Sequence, residues 1–81
     1  MIKYQFENLY LELQFHRSKG RRFFYRYSLY IDNKFFLKGT DYSPSVFIQS
    51  DHEKMAKDCL GMIFAKHGTK QMSEQYKGAI A

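Results

Sequence analysis

Two runs of strict period-two alternation flank a glycine-bearing turn, and this arrangement constrains the fold more than any other part of the chain. From Leu9 to His16, the residues Leu9, Leu11, Leu13 and Phe15 point one way, and Tyr10, Glu12, Gln14 and His16 point the other. From Phe23 to Ile31 the same rule puts Phe23, Tyr25, Tyr27, Leu29 and Ile31 on one side. Arg22, Phe24, Arg26, Ser28 and Tyr30 fall on the other. Between the runs lies Ser18-Lys19-Gly20, which reads as a three-residue hairpin loop ending in a glycine with positive φ. Closure there pairs Arg17 with Arg21, Phe15 with Phe23, Leu13 with Tyr25 and Leu11 with Tyr27. All apolar residues then share one face, as a half-buried sheet requires. The register also sets Glu12 opposite Arg26, a pair worth about 0.2–1 kcal/mol.

The flanking segments extend the sheet. Asp32-Asn33-Lys34 leads into Phe35-Phe36-Leu37-Lys38. A three-residue loop puts Phe35 and Leu37 on the core face with Phe36 beside Tyr30; a two-residue Asp-Asn loop reverses that parity, and the sequence admits both. At the N-terminus Tyr4 and Phe6 are even-numbered whereas later core residues are odd, a phase change that a bulge near Glu7–Asn8 accounts for. Gly39 to Ser45 reads as a loop, and Val46-Phe47-Ile48 as a short further strand. Ser50 and Glu53 have capping-box spacing ahead of a helix. That helix buries Met55, Ala56, Cys59, Leu60 and Ile63, and its C-terminal stop at His67-Gly68 puts the glycine in a left-handed cap. Gly61 within it suggests close approach to the sheet or a slight bend. Residues 69–81 suit a short helix using Met72 and Tyr76, with a frayed end.

The expectation is therefore a single α+β domain over residues 1–81. An antiparallel sheet of three to four strands (about 2–49) comes first and packs in two layers on one main helix (about 51–67), with a short C-terminal segment. A domain this small buries only about 60–65% of its unfolded surface, so each apolar face must be used. Eight Phe and seven Tyr supply that area with few residues. A single cysteine, Cys59, allows no internal disulfide, which points to a reducing, cytoplasmic setting and to a core thiol. No apolar run is long enough for a secretory signal or a membrane helix.

Charge singles out the hairpin. Leu13 to Ile31 holds Arg17, Lys19, Arg21, Arg22 and Arg26 and no acid, so the net charge of +5 belongs to this stretch. Arg17, Lys19, Arg21, Arg22, Phe24, Arg26 and Tyr30 are the candidate contacts: cations neutralise phosphates, and exposed rings stack on bases. The aromatics Phe15, Phe23, Tyr25 and Tyr27 are assigned to the core. His16, His52 and His67 are far apart and have no metal-ligand spacing, so no metal or cofactor is expected. Neither a phosphate loop nor a nucleophile with a base occurs, which argues against an enzyme. The helix's solvent side, with Lys54, Lys57, Asp58, Lys66 and Lys70, extends the positive surface only if it lies beside the hairpin.

Three strands followed by a helix is similar to the small DNA-binding modules at the N-termini of tyrosine integrases, which lay a sheet face into a groove. In size and basicity the chain also resembles the stand-alone proteins with which phages block host defence or nucleic-acid enzymes. The functional expectation is a cytoplasmic, non-enzymatic module that binds DNA or RNA through the basic, aromatic face of the first hairpin. The alternative is a protein-interaction module, such as a phage-type inhibitor, docking an acidic protein surface.

Overall fold

A computed structural model describes residues 1–17, 23–68 and 70–81, with the backbone alone for Phe23. It is a four-stranded antiparallel meander followed by helix, the expected two-layer α+β arrangement. Strands β1 (Ile2–Phe6), β2 (Leu9–Arg17), β3 (Phe23–Ile31) and β4 (Lys34–Tyr42) lie side by side in chain order. Helix α1 (His52–His67), helix α2 (Lys70–Gln75) and a 3₁₀ turn (Lys77–Ala79) follow.

The first correction concerns the N-terminus. Glu7–Asn8 is a tight two-residue turn between separate strands, with Phe6 opposite Leu9 and Tyr4 opposite Leu11. A two-residue turn joins residues of opposite parity on one face, which accounts for the phase change without a bulge. Glu7 has φ 53° and Asn8 is not in the left-handed region, the sign pattern of a type II′ turn. This N-terminal strand is the fourth strand. Val46–Ile48 instead coils through short turns, with the Ile48 N–H donating to the Ser45 carbonyl at 3.1 Å.

The central hairpin has the expected faces and a different register. Phe15 lies opposite Tyr25, Leu13 opposite Tyr27, Leu11 opposite Leu29 and Arg17 opposite Phe23, a slip of two residues. Glu12 consequently faces Ser28, and Gln14 faces Arg26. A slip of two keeps every side chain on its face, so apolar patterning cannot detect it. The far end of the hairpin holds the register: the Asp32 N–H donates to the Asn8 carbonyl at 2.9 Å, and the Asn8 amide donates to Asp32 Oδ1 at 2.9 Å. The Ser18-Lys19-Gly20 turn itself lies outside the described residues.

The β3–β4 connection is the two-residue option. Asp32 and Asn33 have φ 55° and 62°, and two positive values are what a type I′ turn needs. Phe35 then pairs with Tyr30, and Phe36 is the extra residue of an irregularity that returns Leu37 opposite Leu29 on the core side. A second irregularity sets Thr40 and Asp41 against Arg26 before Tyr42 pairs with Tyr25. Gly39 to Tyr42 is therefore strand rather than loop. Strand pairing survives the glycine because the Tyr27 ring occupies the space a side chain would take.

The core sits between the odd-numbered face of β2 and β3 and helix α1. It contains Leu9, Leu11, Leu13, Tyr27 and Leu29 from the sheet, and Met55, Ala56, Cys59, Leu60, Ile63 and Phe64 from the helix. Burial pushes the Cys59 thiol above its ordinary pKa, in keeping with a core side chain. Phe15 does not belong to this core. It is 54% exposed, one pleat beyond the last buried position, Leu13, with its ring edge-on to Tyr25 at 5.6 Å.

Both helix caps also differ in detail. Asp51 rather than Ser50 is the N-cap, accepting from the Lys54 N–H at 3.1 Å, while Glu53 pairs along the helix with Lys57 at 3.6 Å. Gly68 is extended, with φ −81°; glycine is needed there because a Cβ would lie 2.7 Å from the Phe64 carbonyl oxygen. At Gly61 the expected close approach to the sheet does not hold, since a Cβ would meet nothing within 4 Å. Gly61→Ala should therefore raise stability by about 1 kcal/mol, seen as a higher urea midpoint at unchanged slope. A loss of stability would mean that the helix relies on the glycine.

The C-terminal segment is docked rather than frayed. Tyr76 and Ala79 are buried, the Tyr76 hydroxyl donates to Asn8 Oδ1 at 3.0 Å, and the Tyr4 hydroxyl donates to the Ala79 carbonyl at 3.2 Å.

Candidate nucleic-acid interface

Because α1 and the C-terminal segment seal one side of the sheet, the even-numbered side of β2 and β3 is left without a covering layer among the described residues. The register turns this side into rows across the strands. Gln5, Tyr10, Tyr30 and Phe35 form one row, and Lys3, Glu12, Ser28 and Lys38 the next. Gln14 pairs with Arg26 in a third row and His16 with Phe24 in a fourth. No side chain of these rows is buried.

The rings in these rows touch. Tyr30 lies 5.9 Å from Tyr10 and 5.9 Å from Phe35, centroid to centroid, and Phe24 lies 4.8 Å from His16. Between the two aromatic clusters is a cleft of about 470 Å³, bordered on this face by Gln14, Arg26, Ser28, Lys38 and Thr40. Lys3, Arg26 and Lys38 are exposed and outnumber the one carboxylate of the rows, Glu12. Glu12 accepts from the Tyr10 hydroxyl at 3.3 Å; partial desolvation, and then this carboxylate, hold that phenol above its ordinary pKa.

The expected contacts divide three ways. Phe24, Arg26 and Tyr30 come together on the open face, which answers whether Phe24 is core: it is half-buried against His16, on the side away from the helix. Arg17 is exposed at the end of β2, but the pleat gives it the parity of Phe15, on the other face. Lys19, Arg21 and Arg22 lie outside the described residues. Tyr10, Phe35 and Lys38 were not singled out. Alternation alone marks Tyr10, but Phe35 and Lys38 become neighbours of Tyr30 and Ser28 only through the β3–β4 turn and its bulge.

The helix cations do not extend this surface, because α1 packs behind the sheet. Lys66 is paired instead with Asp41, and that ammonium holds the Asp41 carboxyl below its usual range. Among the described residues no group of three His, Cys, Asp or Glu side chains could hold a metal ion.

Fold and face together define a small α+β domain whose sheet is sealed on one side and open, aromatic and basic on the other. Comparison of the chain with protein-family models, curated proteins and solved structures found no match. No helix among the described residues is long and apolar enough to cross a membrane.

Proposed function

We propose that the chain is a non-enzymatic binding module that engages nucleic acid through the open face of its sheet. The observation that carries this reading is the set of half-exposed rings interleaved with exposed cations on the face away from the helix. A sheet face kept only for solubility has no need of Phe35, 56% exposed beside Tyr30. Arg26 and Lys38 supply the phosphate contacts, and Tyr30 and Phe24 the flat surfaces. The module works in the cytoplasm on this reading, with Cys59 remaining a thiol.

Fluorescence anisotropy with a labelled oligonucleotide over a salt series tests the reading. Affinity should fall steeply between about 50 and about 200 mM salt, and Arg26→Ala or Lys38→Ala should each flatten the log–log slope by about 0.7–0.9. Both side chains are exposed, so the fold should be unchanged in either variant. Absence of binding at the lowest salt would refute the reading.

One observation favours a protein partner instead. Val46 and Phe47 are exposed on a connecting loop, Phe47 at 91%, and a protein-interaction module such as a phage-type inhibitor would use such an anchor. A stoichiometric complex with one protein that is lost in Phe47→Ser would support that reading.

A further inference from the structure

Resting on the nucleic-acid reading, we infer that the ligand is single-stranded. One base stacks on the Tyr30 cluster, another stacks on Phe24, and the intervening phosphates cross the Arg26–Lys38 cleft. The inference starts from what rings on a sheet can reach. In a duplex each base is covered above and below by its neighbours, so aromatic side chains standing on a sheet gain a stacking partner only when bases are unpaired.

The spacing is consistent with that ligand. Phe24 and Tyr30 are six residues apart on β3, about 20 Å along the strand, and Arg26 and Ser28 stand between them. That distance accommodates about four nucleotides, at the low end of the site sizes of single-strand-binding folds. The chain order along the path is therefore ring, cation, hydroxyl, ring, with Lys38 set beside Ser28 on β4. Stacking and charge alternate at the scale of the nucleotide repeat. The rings are also held ready, since Tyr30 is flanked on both sides by Tyr10 and Phe35 and does not have to be ordered by the ligand.

The test compares labelled oligothymidine, oligouridine and a mixed-sequence duplex, using the whole chain and two ring variants, Tyr30→Thr and Phe35→Thr. Threonine keeps strand propensity and removes the π-face. The single strands should bind more tightly than the duplex. Each variant should lose about tenfold in single-strand affinity with its salt slope unchanged, because no phosphate contact is removed. The two single strands also report whether the sugar matters. Circular dichroism checks folding, and Phe35→Thr, at an exposed edge-strand position, carries the test if Tyr30→Thr unfolds. Equal binding of the duplex together with unaffected ring variants overturns the single-strand inference and leaves the nucleic-acid reading standing. No binding to any of the three overturns both.

Discussion

Tyr76→Ala should destabilise the domain by about 3–5 kcal/mol, the cost of emptying a buried aromatic site. Tyr76 is 2% exposed, its ring is stacked on Phe64 at a centroid distance of 6.2 Å, and its hydroxyl donates to Asn8 Oδ1 at 3.0 Å. Asn8 in turn donates to Asp32, so one phenol ties the C-terminal segment to the β1–β2 turn, which is bonded to the β3–β4 turn. Small domains have only about 5–15 kcal/mol of stability in total, so the variant should be close to unfolding at room temperature. Tyr76→Phe separates the two contributions. It keeps the ring and loses one hydrogen bond to a half-buried amide, and should cost about 1 kcal/mol. Urea unfolding of both variants checks this. If Tyr76→Ala costs less than Tyr76→Phe is expected to, the C-terminal segment is not part of the core.

Gly39→Ala should cost about 3 kcal/mol, at the upper end of what overpacking does. A Cβ at Gly39 would lie 2.2 Å from Tyr27 Cζ and 2.2 Å from its hydroxyl oxygen, far inside contact distance. The backbone cannot yield easily, because Gly39 is paired with Tyr27 itself across the β3–β4 ladder. The ring must leave, and with it goes a 3.3 Å hydrogen bond to Asp41. Burial, followed by the Asp41 carboxylate, pushes the Tyr27 phenol up to about 12, which reflects how enclosed that site is. A double-mutant cycle isolates the cause: in a Tyr27→Leu background, Gly39→Ala should become nearly neutral. An undiminished cost there would place the strain in the backbone rather than against the ring.

The two glycines Gly39 and Gly61 show what a sequence conveys and what it withholds. Both look like interruptions, yet Gly39 lies within a strand because a ring from the neighbouring strand fills its place, and Gly61 borders open space. Neither neighbour is legible from local pattern. Faces were legible: alternation assigned Leu9, Leu11, Leu13, Tyr27 and Leu29 to the core, and all five are buried. The hairpin register was not, because a two-residue slip leaves every face intact and hydrogen bonds at Asn8 and Asp32, at the opposite end, set it. The count of strands depended on Glu7 adopting positive φ, which a glutamate does not advertise. For the candidate site, parity found Phe24, Arg26 and Tyr30. Phe35 needed the two-residue turn, one of two options the sequence admitted, and Lys38 needed a bulge at Phe36 that no residue type marks. Helix positions fared better, since Met55, Ala56, Cys59, Leu60 and Ile63 follow a 3.6-residue period that tertiary packing left unchanged.

The central claim is that nucleic acid meets the open sheet face, and amide chemical-shift mapping tests it most directly. On titrating the labelled protein with a single-stranded oligothymidine, the account predicts the largest shifts at Gln14, Arg26, Ser28, Tyr30 and Lys38. The amides of Met55, Leu60 and Ile63, behind the sheet, should barely move. Shifts centred on α1 or on the Val46–Phe47 loop, with the β3 amides unchanged, would contradict it.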